Sequence, residues 1–360
     1  MKVGLIYSTP DYHQLVEMMA RECYQSYDKV DDTSKNFIEK ITTKDHTSIT
    51  STGNIVFGIA SIQGLEEYLS LLSDLMTMKE INNYIRWSTP DGKKNPDSKI
   101  GIIVSMNIFT FLDINKHIGE YDVSTKVFES FKRLIQRERS LNWFINDKTK
   151  LESKENQYIT KGEPELYKPV LLTEDYTVLK EKGLTDYELD IHATITLNLK
   201  VDRETGLKIW QHTDMMGGTE LSQCYIDRSS TEYQCMLGLE KGRYPDLTKY
   251  IEKYNVSEDI AKERFNSVVE EFRSALDKQV ERYTHLRDDL TMLGFNQSRA
   301  KEIARAILPN PLTTKIVNCR PLRQWKHFVK LRDTNHTRKE IQADIQAIKK
   351  LFDKVVIPYE

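Results

Sequence analysis

Residues 191–201 read IHATITLNLKV, and residues 202–212 read DRETGLKIWQH. The first stretch alternates β-branched and aliphatic side chains with polar ones, which predicts a strand. The second recovers helical spacing, so the pair predicts a strand running directly into a helix. Upstream, 54–59 (NIVFGI) is a second short apolar run, bounded by Gly53, and is expected to be a strand. Residues 12–24 carry Leu15, Met18, Met19 and Cys23 at helical intervals. Gly64 opens a further helix whose stripe is expected to be Leu65, Tyr68, Leu69, Leu72, Leu75 and Met76, ending before Pro90. The Pro, Gly, Asn and Asp of 89–98 (TPDGKKNPDS) mark a loop. Residues 100–112 are expected to be one or two buried strands, and from 124 to about 162 the chain is expected to begin helical and become a charged, solvated excursion over 148–161.

Downstream, 258–290 predicts a long helix with Ile260, Phe265, Val268, Val269, Phe272, Leu276, Val280, Tyr283 and Leu286 on one face. Ser298 is the expected N-cap of the next helix, which stops at Pro309. Residues 326–332 and 338–352 complete a helical C-terminus, and no internal repeat is visible. The expected fold class is α+β, an α/β-type domain in two parts, 1–64 and 188–360, with a mixed, largely helical insertion over 65–187.

Composition narrows the function classes. The 360 residues are 39% hydrophobic and 29% charged, which excludes a disordered chain. Lys plus Arg (52) nearly balances Asp plus Glu (54), so there is no bulk attraction to a nucleic acid polymer or an anionic membrane. No apolar run is long enough for a membrane helix, and the apolar start after Met1 and Lys2 is too short for a signal peptide. Four cysteines without paired spacing exclude a zinc module and a disulfide framework. The expectation is a soluble, cytoplasmic protein.

Two constellations could carry chemistry. Between Arg299 and Lys339 stand eleven Lys or Arg against two acids, Glu302 and Asp333. Such a run is either a solvated helix face or an anion site. Arg320, Arg323, Trp325, His327 and Arg332 interleave planar cations with rings, which suits a phosphate and a flat heterocycle. The second constellation is 211–225, QHTDMMGGTELSQCY, in which Gly217 and Gly218 are expected to permit a turn that side chains would block. No Walker loop, G-x-G-x-x-G, metal spacing or nucleophile elbow occurs.

Residues 304–342, ARAILPNPLTTKIVNCRPLRQWKHFVKLRDTNHTRKEIQ, resemble the C-terminal half of the flavin-dependent thymidylate synthases, the ThyX family. The family's A-R-x-x-L-P falls on Arg305, Leu308 and Pro309. Its R-x-x-x-x-F-x-x-L-R falls on Arg323, Phe328, Leu331 and Arg332, with His336 four residues on. Ala20-Arg21-x-Cys23-Tyr24 resembles the family's N-terminal A-R-x-[SC]-[YF], His46-x-Ser48 its H-x-S, and Glu220-Leu221-Ser222-x-x-Tyr225 its E-L-S-x-R-Y. The central R-H-R is Gln211-His212-Thr213 here, and the nucleotide-facing Arg is Cys224.

The resemblance implies transfer of a one-carbon unit from methylenetetrahydrofolate to carbon-5 of dUMP, with FAD as cofactor and NADPH as reductant. Altered reactions or bases (hydroxymethyl transfer, a dCMP-like substrate) and a catalytically silent nucleotide-binding subunit are the alternatives. It implies no side-chain nucleophile, because the flavin carries the chemistry, and a homotetramer. Carried over by position, Glu220, Ser222, Tyr225, Arg305, Arg332 and Lys208 would hold the nucleotide, and His46, His212, Arg323, His327 and His336 would face the flavin. Where a phosphate still needs a cation in place of Cys224, Lys208 or Arg228 must supply it.

Overall fold

The computed structural model describes residues 3–26, 29, 37, 47–60, 64–89, 100–121, 126–138, 141, 144, 165–211, 217–222, 226–230, 232–233 and 236–359. The chain opens with β1 (Val3–Ser8), α1 (Tyr12–Tyr24), a 3-10 turn (Thr47–Ser51), β2 (Ile55–Ala60) and α2 (Leu65–Ile81). Next come β3 (Arg86–Ser88), β4 (Ile100–Met106), α3 (Ile108–His117) and α4 (Lys126–Arg137). After residue 164 follow β5 (Val170–Glu174), α5 (Tyr176–Glu181), α6 (Asp186–His192), β6 (Thr194–Asp202), α7 (Arg203–Gln211) and β7 (Gly217–Glu220). The chain ends with α8 (Thr248–Tyr254), α9 (Glu258–Met292), α10 (Gln297–Ala304), β8 (Thr313–Pro321), α11 (Leu322–Arg332) and α12 (Lys339–Lys354).

The strands form two antiparallel four-stranded sheets, ordered β1-β2-β4-β3 and β5-β6-β8-β7. With the helices around them they make the expected α+β class. One core lies against the first sheet and α1–α4, the other against the second sheet, α11 and α12. The cores meet through the sheets. Val56 and Ile103 of the first sheet join the second core, and Val317 of β8 joins the first. No helix among the described residues is long and apolar enough to cross a membrane.

Several local expectations are corrected. The 100–112 stretch is one strand, because Asn107 turns the chain by accepting from the Thr110 N–H at 2.8 Å and caps α3. The chain over 191–192 ends α6 rather than starting β6. That helix is fixed by a capping box in which Thr185 and Glu188 bond each other's backbone. α2 buries Leu71, Asp74, Leu75 and Met78, while Leu65, Leu69 and Met76 of the expected stripe are 73%, 55% and 65% exposed. Its apolar residues are numerous enough to suggest two stripes, and packing against α3 selects the other one. In α9 the buried side chains are Ala261, Val269, Leu276 and Tyr283, the last three at seven-residue spacing, and Ile260 and Val268 face solvent. Asn296, not Ser298, caps α10. The described residues of 65–187 build β3 and β4, which share a sheet with β1 and β2, and then β5 of the second sheet.

Candidate functional site

The site assembles where β7 crosses from the second sheet onto α1 and the 47–51 turn. Gly217 and Gly218 lie in extended strand, not in the expected turn, and their need for hydrogen is a close approach. A Cβ on Gly217 would stand 2.1 Å from Ser51 Oγ and 2.3 Å from Ser51 O, and one on Gly218 2.5 Å from Val317 O. This contact brings Glu220-Leu221-Ser222 beside Ala20–Tyr24. The Ser222 N–H donates to Cys23 O at 3.1 Å, and Leu221 N–H donates to Lys315 O at 2.9 Å. Two segments nearly two hundred residues apart in the chain, both singled out in the sequence, therefore form one wall.

Charge is arranged beneath that wall. Glu220, half-buried, accepts from Thr314 Oγ1 at 3.1 Å. The Arg228 side chain is fully buried. Its backbone N–H donates to Tyr283 Oη at 3.3 Å and its Nη1 to Thr313 O at 3.3 Å, while Nε and Nη2 have no hydrogen-bond partner among the described residues. Burial pushes its pKa down to about 10, opposed by the Glu220 carboxylate and assisted by the neighbouring Arg203 cation. Arg203 in turn donates to Leu308 O at 3.5 Å, tying the start of α7 to the 304–309 segment. Glu22, also buried, faces Lys315 at 3.8 Å and Asn198 at 3.5 Å. Burial raises the Cys23 thiol to about 11 and also raises Cys319, so both stay protonated at neutral pH and neither is an activated nucleophile.

The remaining candidates fall in three places. Lys208, on α7, donates to Gln211 Oε1 at 3.0 Å. Arg305, half-buried, opens a 3-10 turn over Arg305–Ile307. Arg323 and His327 are exposed one helical turn apart on α11, and His336 is exposed beyond it. Arg332 is nine residues beyond Arg323, half a rotation around the helix. It is half-buried, with a buried Nε lacking a partner. Arg320 and Trp325 are not part of an anion grip. Arg320 is fully buried 4.7 Å above Trp325 and 4.9 Å above Phe328, and donates to Ile209 O at 2.6 Å. Trp325 Nε1 donates to Ile195 O at 3.0 Å. The inward side of α11 closes the core, and only its outward side offers cations. His46, His212, Thr213, Cys224 and Tyr225 lie outside the described residues.

Sequence reading missed a second polar cluster. Arg86 donates to Ile191 O at 2.6 Å and to Asn54 Oδ1 at 2.9 Å, and Asn54 Nδ2 donates to Asp175 Oδ2 at 2.7 Å. His192 sits between Ser88 Oγ and Ser105 Oγ, 2.8 Å from each. Arg86, Asn54, Asp175, His192, Ser88 and Ser105 are all buried. No motif marks them, because their partners come from opposite ends of the first 200 residues.

Residues 190–358 match the family described as thymidylate synthase complementing protein. Curated relatives include a flavin-dependent thymidylate synthase of Mycolicibacterium vanbaalenii, 26% identical over 136 residues, which are 38% of this chain and 48% of that protein. The protein of the same name from Corynebacterium diphtheriae is 32% identical over 82 residues, 23% of this chain and 32% of that one. The one from Mycolicibacterium gilvum is 26% identical over 124 residues, 34% and 43% of the two chains. The matches thus span about half, or less, of the relatives' length.

Proposed function

We propose, since residues 190–358 match the thymidylate synthase complementing protein family, that this chain is a flavin-dependent enzyme of pyrimidine deoxynucleotides. The transfer is the methylation of dUMP with methylenetetrahydrofolate as carbon donor, FAD as cofactor and NADPH as reductant. The observation that carries the reading is the joining of Ala20–Tyr24 to Glu220–Ser222 over the buried, half-partnered Arg228 guanidinium.

The donor sets present fit the two ligands. A buried guanidinium with two unpartnered nitrogens suits a phosphate or a pyrimidine carbonyl, and it supplies the cation that Cys224 cannot. Ser222 and Glu220 add a hydroxyl and a carboxylate to position the sugar and base. Arg305 and Arg332, both half-buried in the C-terminal block, would supply further cations to the nucleotide. Arg323, His327 and His336, exposed along and beyond α11, suit the phosphates and ring edge of a dinucleotide. A bound flavin supplies the redox chemistry. The chain's own residues bind, orient and exclude water. With the described thiols protonated, attack by Cys23 or Cys319 has no part in the mechanism.

The test is the absorption spectrum of the purified protein, followed by titration of the apoprotein with FAD and then dUMP. A flavin spectrum that shifts on adding dUMP supports the reading, and no binding of either at millimolar concentration removes it. Tritium release from carbon-5 of dUMP, set against dCMP, identifies the base.

A further inference from the structure

The strand orders β1-β2-β4-β3 and β5-β6-β8-β7 are one order taken twice. Equating Ile108, which opens α3, with Leu322, which opens α11, places Met106 on Arg320. The ladders then place Ile55 on Ile195, Phe57 on Leu197 and Arg86 on Gly217. The irregularity of β1 falls between Leu5 and Tyr7, opposite Phe57 and Val56. That of β5 falls between Leu171 and Thr173, opposite Leu197 and Thr196. These are the same two positions, although nothing in equating the helix starts requires it. The residue after each edge strand repeats as well. Thr9 N–H donates to Asn54 O at 2.9 Å and Thr9 Oγ1 accepts from Asn54 N–H. Asp175 N–H donates to Thr194 O at 3.2 Å and Asp175 Oδ1 accepts from Thr194 N–H.

We infer that the chain is a tandem pair of one fold, residues 3–137 and 165–358, and that it builds a single anionic-nucleotide site across its two copies. Each copy lends a segment to the other. The 47–51 turn of the first packs on β7 of the second, and α6 of the second packs on β3 of the first. Ile103 of the first copy enters the second core, and its equivalent Val317 enters the first. Reciprocal exchange of this kind is the mark of a two-fold relation between subunits, here inside one chain. Residues 221–312, with α8, α9 and α10, are then an insertion in the second copy, and 65–137 completes the first.

The two-fold generates two equivalent crossings, and their chemistry differs. At β7 the backbone of Gly217 reaches Ser51, and Cys23, Glu220 and Ser222 stay half-exposed. At β3 the equivalent of Gly217 is Arg86, whose side chain fills the crossing and is sealed by Asn54, Asp175, Ser88 and His192, all buried. One crossing is open to a ligand and one is plugged. The ligand clause rests on the functional reading above.

Two readouts on the full chain separate the ideas. Ser222→Cys in a Cys224→Ala background sets a thiol beside Cys23, and Thr219→Cys is a second such pair. Oxidation should give a covalently closed single chain of 42 kDa, reversed by reductant and absent with Cys23→Ala. Covalent dimers from both pairs would overturn assembly within one chain. Calorimetry with dUMP as probe should give one equivalent per chain, and two equivalents would overturn the plugged crossing. Zero equivalents with the single-chain disulfide formed would strike out the ligand clause together with the functional reading, and leave the tandem pairing established.

Discussion

The strands Arg86–Ser88 and Gly217–Glu220 occupy the same edge of two like-ordered sheets and do opposite things. The first uses a long cation to lock the crossing, and the second uses missing side chains to let two backbones touch beneath half-exposed polar groups. Filling a crossing gains packing and a buried hydrogen-bond network and removes access. Leaving it open keeps access and holds charge with spare hydrogen-bonding capacity, of which Arg228, facing the Glu220 carboxylate, is the clearest case.

The largest effect should come from breaking the plug. Arg86→Ala strands two buried acceptors, Asn54 Oδ1 and the Ile191 carbonyl, and leaves the guanidinium's space unfilled, and should cost about 3–5 kcal/mol in urea unfolding. A loss below 1 kcal/mol would show that the network is not structural. Gly217→Ala is expected to cost about 1–3 kcal/mol, because the new methyl meets Ser51 backbone that cannot yield. Gly119→Ala, where no atom lies within 4 Å, is the neutral control. Arg228→Met sharpens the contrast from the open side. It should weaken dUMP by about 1.5–3 kcal/mol, a charged hydrogen bond's worth. Its folding stability should change little or rise, since a half-partnered buried cation is replaced by an apolar side chain. Equal losses in binding and stability would make Arg228 purely structural.

The smallest effect is a pH signature of the plug. Burial raises Asp175 to about 7, against the pull of its bonds to Asn54 and Thr194 and of the Arg86 charge. The folded state then holds a proton that the unfolded chain has shed, so this group's contribution falls as pH rises from about 4 to 7. His192 is held well below its usual value, first by burial and then by the Arg86 and Arg323 charges. It contributes the reverse slope, losing stability as pH falls below about 6.5, the unfolded histidine value. The two slopes oppose each other in the native protein. Thermal unfolding of His192→Gln should leave the falling slope, and Asp175→Asn the rising one. Flat profiles in both variants would contradict this pairing of opposed titrations.

Legibility followed the range of the interactions. α1, bounded by Tyr12 and Tyr24, and the long α9 could be read directly, since periodicity and capping are local. The face a helix buries was less legible, as Leu65 and Leu69 demonstrate, because an apolar-rich helix has more than one plausible stripe. At the site, Glu220, Ser222 and Cys23 were named from motifs, and the structure adds that they touch. Arg320 and Trp325 looked like ligand-gripping residues and are core, because the sequence gives residue type and spacing but not which side of α11 meets the sheet. The repeat left no visible trace, since equivalent positions such as Met106 and Arg320, or Arg86 and Gly217, keep register without keeping chemistry.

The sequence alone determined the α+β class, most element positions, and the family resemblance of the C-terminal block, all carried by residues near one another in the chain. Only the tertiary structure decided that Ala20–Tyr24 meets Glu220–Ser222, that Arg228 is buried with two nitrogens unbonded among the described residues, and that one crossing is plugged while its twin is open. Those outcomes depend on how two sheets pack. Packing is settled by shape and by the burial of charge over the whole molecule, and no local stretch of sequence contains it.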